Sequence, residues 1–239
     1  MDFKDRSTEQ EIMDDPNLGL TALKEVFLDI NRVNRVLNGH AITLKAIENI
    51  LDENSQERYT IIDLGCGDGE LLKQLALYFM DRPVTLDLIG VDLNGNAIKI
   101  ASGNCRAFSN ISFLQRDILT LDTIAPACDI LLCTLTMHHF GKEEIPVFLH
   151  RIVQLPRIGL IINDLQRSKV SYYLFKIFSS IFIKTNIAKH DGLVSIKRAF
   201  IKSELQEYSR AFPYLAHQIG RKWAFRYLWT MQFKKESTL

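Results

Sequence analysis

Apolar residues recur every three or four positions at Leu20, Leu23, Phe27, Ile30, Val33 and Leu37, which predicts an amphipathic helix over 19–37 stopped by Asn38-Gly39. A second helix is expected from about His40 to Leu51, and the polar run DENSQER closes this N-terminal unit. It is too short to bury a core of its own and is expected to pack on the rest of the chain. The first fifteen or so residues are polar and are expected to be frayed.

From Tyr59 the period changes. Short apolar runs (YTIIDL, TLDLIGVDL, ISFLQR, DILLCTLT and GLIINDL) alternate with helical segments (GELLKQLALYFM, NAIKIASGNCRAF and KEEIPVFLHRIVQ). Buried runs separated by helices mark a parallel sheet covered on both faces, so the fold class is α/β. Beyond Leu165 lies the apolar segment VSYYLFKIFSSIFI, expected as a helix that protein, a partner or lipid must cover. A polar turn, KTNIAKHDGL, the helix IKSELQEYSRAF, strands around AHQIGRK and FRYLWTMQF, and a charged tail complete the chain.

With 239 residues and no linker composition, the chain reads as one elaborated domain. We expect an N-terminal helical cap over 1–57 and a main domain over 58–239, with an insertion at about 166–196 serving the acceptor site. The formal charge of +1 supplies no long-range field for gathering nucleic acid. The four cysteines lack CxxC spacing, which argues against a zinc knuckle or disulfide framework and for a reducing compartment. A charged N-terminus and the lack of any run of 18 apolar residues lead to the expectation of a soluble, cytoplasmic protein able to make peripheral membrane contact.

The run Asp63-Leu64-Gly65-Cys66-Gly67-Asp68-Gly69 directly succeeds the first predicted strand and opens the next helix. Its glycines permit a tight turn and close backbone approach to a ligand. The second strand ends at Asp92, whose carboxylate can accept both hydroxyls of a ribose. Nicotinamide cofactors and S-adenosylmethionine both suit this arrangement. Asp63 separates them, because an anion there repels a pyrophosphate and attracts a sulfonium carrying an ammonium group. Cys66 reads as a small packing residue of the turn.

The segments IDLGCGDG at 62–69, GVDLN at 90–94, RDI at 116–118 and CTLTMHHF at 133–140 closely resemble class I S-adenosylmethionine-dependent methyltransferases. The resemblance covers roughly 58–165. It implies a Rossmann-like seven-stranded, mostly parallel sheet in the order 3-2-1-4-5-7-6 with the seventh strand antiparallel. It also implies that Gly65, Cys66 and Gly67 run along the methionine part of the cofactor, with Asp63 near its ammonium group. Asp92 would take the ribose hydroxyls and Leu93 would pack on the adenine. Asp117 would accept from the adenine amino group, Ile118 would lie on the other face of the ring, and Thr134 would lie beneath the methionine. By analogy with leading helices that close over the cofactor, Asn34 or Arg35 would contact the methionine carboxylate. S-adenosylhomocysteine would be the product. The N-D-L and H-D-G stretches are similar to those of ubiquinone and menaquinone methylases.

For methyl transfer the acceptor lone pair must be aimed at the methyl carbon, and a phenol must also lose a proton. His138 and His139 lie just beyond the fourth strand at the edge where substrates approach, with His139 favoured as the base and loop positioning as the alternative for both. A metal is not expected, because the adjacent pair has no spaced third ligand. His190, beside Asp191 and Gly192, is a third catalytic candidate, set in a turn that glycine would sharpen. Asn163 and Asp164 end the fifth strand and could position substrate, while Arg198 could bind an acidic group or anchor the helix after it.

The acceptor is expected to be small, aromatic and partly apolar or lipophilic, with O-methylation ahead of C-methylation and the chain a monomer or homodimer. A protein or other macromolecule methyltransferase and a non-catalytic cofactor-binding protein remain the alternatives. A nucleic-acid partner is not expected: no basic groove or Asn/Asp-Pro-Pro-aromatic motif is present.

Overall fold

Strand β1 (Arg58–Leu64) sits in the middle of the sheet and sets its layers. Tyr59 and Ile61 face one core, while Ile62 and Leu64 face another, the period of two that a doubly covered strand requires. The computed structural model describes residues 3–54, 56–120 and 127–234; the charged tail beyond lies outside them. Strands β2 (Thr85–Asp92), β3 (Ile111–Gln115), β4 (Cys128–Thr134), β5 (Pro156–Leu165), β6 (Leu215–Lys222) and β7 (Arg226–Phe233) complete a seven-stranded sheet. Its order is β3-β2-β1-β4-β5-β7-β6, with β7 antiparallel to both neighbours, as the resemblance implies.

Helices α1 (Leu20–Val36), α2 (Gly39–Asp52), α3 (Glu70–Phe79), α4 (Gly95–Asn104) and α5 (Glu144–Ile152) fall close to their expected positions. One core joins Ile47 and Ile50 of α2 and Leu72 and Leu75 of α3 to the sheet. The opposite core joins Phe148 and Leu149 of α5, Leu205 of α8 (Lys202–Ser209) and the aromatics Phe200, Phe212 and Trp229. Parallel pairing of β1 with β2 and β4 brings Leu64, Asp92 and Thr134 to one edge, since all three strands end in the same direction.

The insertion differs from expectation. Residues expected as a polar turn form α7 (Asn186–Arg198), capped by the Thr185 hydroxyl, which accepts from the Ala188 N–H at 3.2 Å. It packs beside α6 (Lys169–Phe182). Gly192 is a mid-helix close-approach residue rather than a turn residue: a Cβ there would stand 2.3 Å from the Phe175 ring. Helix α6 is not covered all round. Tyr172 is buried and Phe175 packs near Val26 of α1, but Val170, Tyr173, Leu174, Ile177 and Ile181 form an exposed stripe. Among the described residues, no helix is long and apolar enough to cross a membrane.

The N-terminal segment also departs from expectation. It straps across the carboxyl edge: Ser7 N–H donates to the Lys197 carbonyl, a 3-10 turn spans Ile12–Asp14, and Glu11 is buried. Its polar residues have partners across the chain, a form of order that periodicity does not reveal.

Phe148 is fully buried at the centre of the α5 core. Phe148→Ala is expected to cost about 3–5 kcal/mol, read as a lower urea midpoint with an unchanged slope.

Candidate active site

The turn after β1 holds three left-handed glycines, and Gly65 (φ +72°) shows why the residue type is needed. A Cβ there would sit 2.3 Å from the Thr136 hydroxyl, so a side chain would collide as well as strain the backbone. The Gly67 N–H donates to Asp92 Oδ2 at 2.9 Å, and the Asn94 N–H donates to Oδ1 at 2.9 Å. These bonds aim the Asp92 carboxylate at the turn. Leu93 is exposed beside it.

Asp63 is buried, and its Oδ1 has no hydrogen-bond partner. Burial, together with the nearby charge of Asp92, pushes its carboxyl well above the usual carboxylate range. An orphaned buried carboxylate oxygen is costly unless a ligand supplies the donor, and an ammonium group is suited to do so. Asp68 is pushed up to about 6, chiefly by burial, and accepts from Asn31 Nδ2 at 2.7 Å.

These groups open into one cavity of about 1200 Å³. Asp63, Gly65, Cys66, Asp92, Leu93, Asp117, Ile118, Thr134, His138 and His139 all line it. Asp117 Oδ1 accepts from the Leu119 N–H at 2.8 Å. Three nominated residues are not among its lining: Gly67, Arg35 and His190. Arg35 is exposed on α1 and does not line the cavity, because a helix turns about 100° per residue and Asn34 takes the inward position. Asn34 Oδ1 accepts from Arg226 Nη2 at 2.7 Å. His190 is also outside the lining, half-exposed between Glu9 and Asp191.

The two adjacent histidines differ. His138 is buried, with Nδ1 at 2.7 Å from Asp164 Oδ1 and Nε2 at 3.4 Å from Glu11 Oε1. Burial alone would lower its pKa, but the Asp164 and Glu11 carboxylates outweigh it and raise it to about 10. A histidine so held is a protonated anchor, not a free base near neutral pH. Its neighbour His139 is 24% exposed, with Nδ1 at 2.8 Å from Asp14 Oδ2.

Arg198 anchors this loop: it donates to the carbonyls of His138, His139 and Glu9. Asn163 is an internal strut, donating to the Gly39 carbonyl and to Thr43. The residues that the sequence did not nominate are Glu11, Asp14 and Arg6. Arg6 donates to the carbonyls of His138 and Phe140. Their signal was a charged segment with no periodicity, which is also what a solvated terminus looks like.

Residues 61–159 match the family described as "Methyltransferase domain". Comparison with curated proteins finds no match. Among solved structures, the chain is similar to the plantazolicin methyltransferase BamL in complex with a triazolic desmethylPZN analog and SAH. The TM-score is 0.69 at 14% identity, over 90% of this chain and 91% of that one. It is also similar to magnesium protoporphyrin IX methyltransferase from Synechocystis PCC 6803, at TM-score 0.59 and 17% identity over 84% and 87%. A SAM-dependent methyltransferase from Aquifex aeolicus gives 0.61 at 12%, over 91% and 100%. At these identities the likeness establishes the fold. The match over residues 61–159 and the shared fold together support a methyltransferase of the S-adenosylmethionine-dependent type.

Asp63 yields a test with a definite sign. Its folded pKa lies above the unfolded value of about 4, so the stability it contributes is fully present below that pH and is lost as pH rises through the folded value. Asp63→Asn should therefore gain on the parent as pH rises, by about 1–3 kcal/mol at pH 8, with the gap closing toward pH 4 in urea titrations.

Proposed function

We propose that the chain transfers a methyl group from S-adenosylmethionine to a small, aromatic and partly apolar acceptor, at oxygen in preference to carbon. The observation that carries this reading is the orphaned Asp63 carboxylate beside the Gly65 turn, in the wall of a cavity larger than one small ligand fills. Pockets for single small ligands run to about 300–1,000 Å³, so about 1200 Å³ leaves room for an acceptor beside the cofactor.

Bound S-adenosylmethionine supplies an electrophilic methyl group on a sulfonium. Asp63 binds the ammonium group, Asp92 accepts from the ribose hydroxyls, and Leu93 and Ile118 flank the adenine, with Asp117 at its rim. The Gly65 turn lets backbone approach the methionine portion, and Thr134 supports it from the end of β4. The cavity also has apolar wall, with Phe140, Leu174, Phe175, Phe178 and Trp223 among its lining. Trp223 is 72% exposed, so this aromatic rim reaches the surface. Such walls exclude water and hold a flat apolar acceptor in attack geometry. His139 is the histidine placed to receive the acceptor proton, because His138 is already held protonated between two carboxylates.

Calorimetry should show S-adenosylmethionine and S-adenosylhomocysteine binding at micromolar levels, with none for NADH. Asp63→Asn should weaken S-adenosylmethionine by about 10–100-fold, the worth of a hydrogen bond to a charged group. Methyl transfer from labelled cofactor to phenols and quinols then tests the acceptor class. Absence of cofactor binding by the folded parent would defeat the proposal.

A further inference from the structure

We propose that Glu11, His138 and His139 form a binding site for a divalent transition-metal ion of the zinc class, with one coordination position open to the acceptor end of the cavity. The ligand atoms lie within 4.8 Å of one another. His138 Nε2 stands 3.4 Å from Glu11 Oε1, and His139 Nε2 stands 3.9 Å from Glu11 Oε2. Charge-assisted hydrogen bonds between such groups close to about 2.7–2.9 Å. Ligands around a tetrahedral zinc at about 2.0–2.1 Å stand about 3.4 Å apart. The 3.4 Å spacing is one that a shared tetrahedral cation would also set, and 3.9 Å is slightly wider.

The outer contacts point the same way. His138 Nδ1 is tied to Asp164 Oδ1 at 2.7 Å and His139 Nδ1 to Asp14 Oδ2 at 2.8 Å, which leaves both Nε2 atoms turned toward the same carboxylate. Glu11 Oε1 in turn accepts from the Ser195 hydroxyl at 2.7 Å. Each ligand thus has its own orienting partner, as first-row metal ligands regularly do. Two imidazoles and a carboxylate are also the donor set of catalytic zinc sites that keep a fourth position for water or substrate. The position is the right one: Glu11, Asp14, His138 and His139 all line the cavity that holds Asp63 and Gly65.

The role of the ion rests on the methyltransferase reading above and replaces its proton step: the ion would displace the proton that His138 holds toward Glu11, and His139 would serve as a ligand in place of the base. The ion would hold the acceptor hydroxyl oxygen and favour its ionised form, the proton leaving to solvent, which supplies the nucleophile at neutral pH. Arg6 and Arg198, which clamp the carbonyls of this loop, would fix the two histidines in place.

The test titrates chelator-treated full-length protein with Co2+, tracked by its visible absorption, and with Zn2+ by calorimetry. One ion per chain with tetrahedral Co2+ bands is expected. Asp14→Asn, a change to an exposed outer partner, should weaken binding by about 10–100-fold, and His139→Ala should abolish the bands. S-adenosylhomocysteine binding, measured in parallel, reports whether each variant is folded. No stoichiometric ion in the parent, or unchanged Co2+ bands in His139→Ala, would overturn the site. A parent that binds the ion but not S-adenosylhomocysteine would keep the site and defeat its catalytic role.

Discussion

The buried chain of charges Asp164, His138 and Glu11 is the contact on which the upper half of this molecule depends. Asp164 lies near the end of β5, His138 lies in the turn after β4, and Glu11 arrives from the N-terminal strap. Ser195 of α7 closes the set through Glu11. Four distant pieces of chain meet at one protonated imidazole that burial would otherwise discharge. Desolvating three charged groups is expensive, and removing one partner of such a group costs about 3–5 kcal/mol because the others are left uncompensated. The arrangement therefore specifies position more than it adds stability. It fixes where the strap crosses and hence how the cavity is closed on that side.

Another part of the cavity wall is built on the opposite logic. There a carboxylate, Asp63, is buried with one oxygen unsatisfied, held by the glycine turn and the end of β2. The fold tolerates this cost because strands β1 and β2 are covered on both faces and their register brings Asp63 opposite Gly90. A satisfied charge cluster and an unsatisfied carboxylate thus line the same cavity. Helix α1 also lines it, packing Leu23 and Phe27 on α4 and Val26 beside Ile183 and Ala188 of the insertion.

Much of this was legible in the chain. The switch from helical to strand periodicity at Tyr59 gave the sheet, and the segment from Asp63 to Gly69 with Asp92 gave the glycine turn at the cavity wall, because local geometry and local sequence coincide there. Where contacts are long-range the reading failed. The strap was expected to fray because Arg6, Glu11 and Asp14 find partners more than a hundred residues away. Gly192 read as a turn residue, although the ring of Phe175 from the neighbouring helix is what requires it. Arg35 and Asn34 were indistinguishable until the helix was docked.

The sequence by itself determined the layered α/β plan, the strand ends that meet at one edge and the residues of the glycine turn, since each comes from periodicity or from backbone conformation within a few residues. Only the tertiary structure decided which histidine is locked and which is open, that Glu11 joins them, and which side of α6 remains exposed. Those outcomes depend on what lies opposite a side chain after packing. Burial and neighbouring charge then turn two identical imidazoles in sequence into different chemical groups.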